Sequence, residues 1–143
     1  MAIEDKRITK LRTYLIGVLD GLVQNSKYSL NANNLDNEPN SYSLDKIPMQ
    51  KTITKWVIGT KIQRDVYSFR SRKTYSQATI ENLKNMGFFE DFEKAIETNN
   101  KNGILPEIEN IKSIECLNCA TMSYAETNTA EFDIQIQITY WED

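Results

Sequence analysis

From Phe132 to Tyr140 apolar and polar residues alternate without a break: Phe132, Ile134, Ile136, Ile138 and Tyr140 on one parity, Asp133, Gln135, Gln137, Thr139 and Trp141 on the other. Strand side chains point to opposite faces in turn, so five apolar residues on one parity require a half-buried antiparallel strand. Residues 111–122 read as a second extended stretch. The hydrophilic connection from Glu126 to Thr129 predicts that the two form a hairpin.

Further strands precede it. Residues 28–32 predict a short strand, and residues 41–48 an extended segment ended by Pro48, because the residue before a proline is pushed to β or polyproline geometry. Residues 52–58 and 62–71 are rich in β-branched and aromatic types and are separated by Gly59, Thr60 and Lys61. In the second of these neither parity is cleanly apolar: Gln63, Asp65, Tyr67 and Phe69 alternate with Ile62, Arg64, Val66, Ser68 and Arg70. Such a strand suits one side packed on helices and another that meets a partner, and a solvated outer face explains it equally well.

Two helices complete the set. Residues 5–25 place Ile8, Leu11, Leu15, Val18, Leu19, Leu22 and Val23 at three- and four-residue spacings, an amphipathic helix. Residues 76–102 are helical, opened by a Ser76 cap, interrupted at Gly87, past which a further amphipathic helix or a continuation after a kink follows, and stopped at Asn102–Gly103 before Pro106. Phe88, Phe89 and Phe92 fall at helical spacing and read as core rather than as a ligand pocket. Between 25 and 40 six of sixteen residues are asparagine, the chemistry of a turn-rich loop. The expected fold is α+β, a mainly antiparallel sheet flanked by helices. It is read as one domain over residues 1–143, with an N-terminal helix at 1–25 and an α+β body at 26–143.

Charge and composition narrow the function. The chain holds no histidine, which removes Ser-His and Cys-His nucleophile pairs, imidazole bases and His-ligated metals. No spacing marks out a carboxylate pair or an activated lysine, so no enzyme, cofactor or metal is expected. Cys116 and Cys119 have a two-residue spacing without a second pair to complete a zinc site. In an extended strand they point apart, so they are read as two free thiols. No run approaches the about eighteen apolar residues of a membrane span, and the first ten residues are charged. The expectation is therefore a soluble protein made in the cytoplasm.

A net charge of -3 argues against a nucleic-acid coat, yet it conceals asymmetry. Residues 61–73 hold five bases against Asp65, a local +4, while residues 107–143 hold eight acids against Lys112, a local -7. Opposite patches suit a chain that meets copies of itself, and ordinary solvated strand faces fit the same pattern. The candidate interface set is Arg64, Arg70, Arg72 and Lys73, pairing with Glu126, Glu131 or Asp133 of a neighbour. On that reading, changing Arg70 and Arg72 together weakens self-association. The same basic run, SFRSRK from Ser68 to Lys73, beside Tyr67, Phe69 and Tyr75, is the one feature that suits phosphates and bases.

The order of pieces says more than any single motif. LDNEPNSYSLDKIP from Leu35 to Pro48, YSFRSR from Tyr67 to Arg72, Asn82–Leu83, GFF from Gly87 to Phe89, GILP from Gly103 to Pro106, IQI from Ile134 to Ile136 and the closing Tyr140–Trp141 follow one another. In this order they resemble the minor capsid or tail terminator proteins of phages and prophages of low-GC Gram-positive bacteria. The resemblance covers residues 35–141. It implies an α+β structural subunit, without turnover, that forms a hexameric ring on the last ring of tail tube, stops polymerisation and joins the tail to head connector or sheath. It further implies a place in a virion or headless phage-tail-like particle assembled in the host cytoplasm. Asn33, Asn34, Leu35, Asp36, Asn37 and Glu38 are the candidate loop for contact with tube or sheath, since projecting loops reach a next layer. Another head–tail connector protein is the alternative, and a small nucleic-acid-binding module the lesser one.

Overall fold

The alternating segment is a strand of fourteen residues, Thr129–Glu142, and it pairs antiparallel along its whole length with a second fourteen-residue strand, Lys61–Thr74. The protein is described by a computed structural model at residues 3, 6–23, 28–48, 52–55, 59–75, 79–126 and 128–142. In chain order its elements are α1 (Arg7–Leu22), β1 (Ser29–Ala32), β2 (Ser41–Ile47), β3 (Thr52–Lys55), β4 (Lys61–Thr74), α2 (Thr79–Lys101), β5 (Ile111–Cys116), β6 (Thr121–Ala125) and β7 (Thr129–Glu142).

The β4–β7 ribbon is the centre of a seven-stranded sheet of order β1-β2-β4-β7-β5. On the outer side of β4, β2 pairs with Val66–Arg72 and β3 with Lys61–Gln63. On the outer side of β7, β5 pairs with residues 136–140 and β6 with residues 130–133. Every pairing is antiparallel except β1 with β2. The fold is thus α+β, a mainly antiparallel sheet flanked by helices.

Both helices lie on one face. The apolar parity of β7 joins Tyr67 and Phe69 of β4, Tyr42 and Leu44 of β2, Leu11, Leu15, Val18 and Leu19 of α1, and Phe89, Phe92 and Ile96 of α2 in one core. The aromatic rings stack through it, Tyr42 on Phe69 at 5.3 Å and Phe69 on Phe92 at 4.7 Å. Phe89 and Phe92 are therefore core, while Phe88 packs at its margin.

Three local features differ from the sequence expectation. α2 runs through Gly87 without a break, because a helix interior tolerates one glycine when flanking turns are packed. The stretch 111–122 divides into β5 and β6, each pairing with a different part of β7, and the hairpin forms between β6 and β7. The polar parity of the ribbon is not fully solvated: Val66, Ser68, Gln137 and Thr139 are buried on the face away from the helices. Side chains bond across that face, as Gln137 does to Glu115 at 2.9 Å, and screen its centre from water. α2 does stop as expected, with Gly103 at φ +75° and the Ile104 N–H bonded to the Asn99 carbonyl at 2.8 Å. The Ser76 cap, the ends of the first helix at 5 and 24–25, and the strand segment 56–58 lie outside the described residues.

Candidate functional site

The basic stretch is β4, and three of the acids of the acidic stretch, Glu131, Asp133 and Glu142, lie on β7, the other strand of the central ribbon. β4 and β7 set Lys61 opposite Glu142, Arg70 opposite Asp133 and Arg72 opposite Glu131. Their opposite signs are thus complementary within one chain. The Arg70 guanidinium lies between Asp45 of β2, at 2.5 Å, and Glu131 of β7, at 3.2 Å. Asp133 accepts a hydrogen bond from Ser68 at 2.5 Å. Arg72 is buried, and its Nε donates to the Asp36 carbonyl at 2.8 Å. Arg64 stands opposite Thr139, half-buried and distant in register from this group. Part-buried guanidinium–carboxylate pairs hold strands together more firmly than exposed ones, so this network stabilises the sheet itself.

Lys73 points the other way, toward the helices. It is buried, with Nζ 3.4 Å from the centre of the Phe88 ring and bonded to the Tyr42 hydroxyl and, at 3.2 Å, to Asn40 Oδ1. Burial pulls its pKa down to about 7. Two oxygens and an aromatic face hold the ammonium when it is charged. Arg70, Arg72 and Lys73, the three cations of SFRSRK, are thus each held by partners within the chain.

The loop singled out by its asparagines lies at the same end of the sheet. Asn33 and Asn40 adopt left-handed backbone, φ 54° and 61°, a region that asparagine tolerates better than most residues. Between them the loop is tied back at several points. Asn34 N–H donates to Ser43 Oγ at 2.9 Å, Ser29 Oγ and Asn31 Nδ2 donate to the Asp36 carboxylate, and Ser41 Oγ donates to the Glu38 carbonyl at 2.6 Å. Leu35 is half-buried, and Asn33, Asn34, Asp36, Asn37 and Glu38 are exposed. Asn37 shares a shallow depression of about 550 Å³ with Tyr124, Glu126, Asn128 and Thr129 of the β6–β7 turn. The fold thereby brings the 33–38 loop, Arg72, Lys73 and Glu126 to one end and leaves Arg64 in the other half of the ribbon.

An open cleft of about 950 Å³ occupies the opposite end, between the start of α1 and residues 107–110. Asp65 is buried at its base. It accepts from Arg7 Nε at 2.6 Å and the Tyr67 hydroxyl at 3.4 Å, and Lys46 Nζ lies 3.6 Å away. The Arg7 guanidinium sits over the Tyr140 ring at 4.6 Å. Two cations compensate this carboxylate, so it acts as an anchor that ties α1 to the sheet. No motif marks this residue, although a signal is present in the sequence: Asp65 is the one acid of the basic stretch and shares a parity with Tyr67 and Phe69.

Cys116 and Cys119 are both free thiols. Cys116 ends β5 against the core, and burial, with Glu93 and Glu115 nearby, pushes its thiol up to about 12. Cys119 is exposed. Among the described residues no helix is long and apolar enough to cross a membrane. No protein-family model matches the chain, and no curated protein matches it.

Proposed function

We propose that the chain is a structural subunit of a phage tail or phage-tail-like particle, a tail terminator that closes as a ring, a hexamer by the resemblance, on the end of the tail tube. The observation that carries this reading is the ordered set of pieces from Leu35 to Trp141, together with a helix-flanked antiparallel sheet of the kind that the resemblance implies. The built end of the sheet supports it further. A loop pinned by Asp36 and Arg72 beside the β6–β7 turn offers a shaped, polar, exposed surface to a neighbouring layer.

The physical task of such a subunit is one-sided recognition. A tube grows because each ring leaves an unsatisfied edge for the next. A terminator matches that edge and presents an opposite face that recruits no further tube subunit, being open to head connector or sheath instead. The 33–38 loop is the contact we assign to the tube or sheath. The protein would act in the virion or particle, assembled in the bacterial cytoplasm, without cofactor, metal or turnover.

Electron microscopy of particles made with and without the gene tests this. Uncapped tails of uncontrolled length in its absence are the expected result, and normal tail lengths would overturn it. In that event the alternatives are a head-side connector and, less well supported because its basic run is engaged internally, a nucleic-acid-binding module. A steep fall of DNA affinity with salt would mark the last.

A further inference from the structure

Asp65 is a buried charge met by two cations, whereas Lys73 is buried with no opposite charge beside it. It is 6% exposed, and among the described residues no ion pair reaches its ammonium. Each element packed on it supplies something neutral. β2 offers the Tyr42 hydroxyl, the loop before β2 offers Asn40 Oδ1, α2 the face of Phe88, and β7 Ala130, its partner in register. The Tyr42 hydroxyl stays protonated, since burial raises its pKa well above the ordinary value, and the neighbouring Tyr28 is bonded to Asp20. Arg72, next along β4, points to the opposite face and holds the Asp36 carbonyl. Burying an ammonium without a counter-charge favours the neutral amine, which is why the Lys73 pKa falls to about 7. The chain has no histidine, so its neutral range holds this amine instead of an imidazole.

The end of the 33–40 loop lies over Lys73. Asn40 is half-buried, adopts left-handed backbone at φ 61°, and is held from three sides. Its N–H donates to the Arg72 carbonyl at 2.8 Å, its carbonyl accepts from the Ser29 N–H at 3.3 Å, and its side chain accepts from Lys73 at 3.2 Å. The ammonium is thus covered by a residue that itself meets water, and a four-carbon stem is long enough to carry the charge past it.

We propose that Lys73 is a proton-operated clasp on Asn40: the neutral amine stays beneath Asn40 and holds the loop end closed, and an added proton draws the side chain out to water and releases the loop end. A released lysine is solvated, with an ordinary pKa near 10.4, and the clasped one titrates near 7, so proton uptake accompanies release between these values. The released population therefore grows about tenfold for each pH unit from 10 down to 7 and levels off below, where both forms are charged. The loop end is held most firmly in alkali. This goes beyond the terminator reading and does not rest on it, because the clasp works on the loop whatever the loop touches.

Nuclear magnetic resonance on the whole chain tests both halves. The Lys73 Cε signal should titrate with a midpoint near 7. Amide exchange, corrected for the intrinsic rate at each pH, should show the N–H groups of Ser29 and Asn40 opening far more often than that of Ile136 in the core. Their protection should rise about tenfold per unit from pH 7 to about 8.5 in the wild type and stay level in Lys73→Met. A Lys73 midpoint at the ordinary value near 10.4 would overturn the proposal. So would level protection in the wild type, Ser29 and Asn40 opening only as rarely as Ile136, or a Lys73→Met chain that keeps the wild-type slope. The first three outcomes need no variant and remain decisive if Lys73→Met does not fold.

Discussion

Several charged residues of this chain are engaged within it. Arg70 bridges Asp45 and Glu131, and Arg72 holds the Asp36 carbonyl, so joint replacement by alanine strips strand-to-strand contacts before it touches any neighbour. Arg70→Ala should cost about 1–3 kcal/mol in urea melts by leaving part-buried carboxylates without their cation. Any loss of assembly in the double variant then has to be read against its stability. Lys73 gives a pH signature of its own. Its pKa is near 7 in the fold and near 10.4 in the unfolded chain, so between these values the unfolded state binds the extra proton. Stability should therefore rise with pH from about 7, at up to about 1.4 kcal/mol per unit, and be flat below. Raised tyrosines such as Tyr28 and Tyr140, and the raised Cys116, act in the opposite sense at higher pH, because the unfolded state loses those protons first. The comparison is accordingly cleanest between pH 6.5 and about 8.5, where thermal melts of Lys73→Met should lack the slope of the wild type. Thiol titration should find one fast cysteine, Cys119, and one slow one, Cys116; equal rates would contradict the burial of Cys116.

At the scale of elements, α2 is the piece whose continuity matters most. It carries Phe89, Phe92 and Ile96 into the core and reaches β5 through Asn100. Phe92 is fully buried and stacked on Phe69, so Phe92→Ala should destabilise by about 3–5 kcal/mol in denaturant titrations. Gly87 is an ordinary helical position, and a methyl group there meets no atom within 4 Å. Gly87→Ala should raise stability by about 0.5–1 kcal/mol through reduced backbone freedom in the unfolded chain. A drop in melting temperature would mean that α2 bends at this point. α1 is fastened by the Arg7–Asp65 pair as well as by its leucines, a polar anchor at the end where the Lys6 side chain makes no capping hydrogen bond.

For the whole molecule, one long ribbon sets the geometry. β4 and β7 run the length of the sheet, the cleft around Asp65 lies at one end, and the 33–38 loop with the β6–β7 turn lies at the other. On the proposed reading, distinct ends let the molecule face a tube with one surface and its own copies with others, the division of labour that a terminating ring needs. The sequence alone determined some of the elements: strict alternation from Phe132 to Tyr140 marks β7, three- and four-residue spacing marks α1, and Asn102–Gly103 marks the end of α2, because side-chain periodicity and backbone-permissive residues act locally. It also determined that no histidine chemistry is available. Only the tertiary structure decided what the charges do. Arg70 and Glu131 are 61 residues apart, and which carboxylate meets which guanidinium depends on strand order and register, as does the edge that each strand leaves open. Local sequence carries neither, because pairing between distant segments is chosen by burial of the whole sheet face at once.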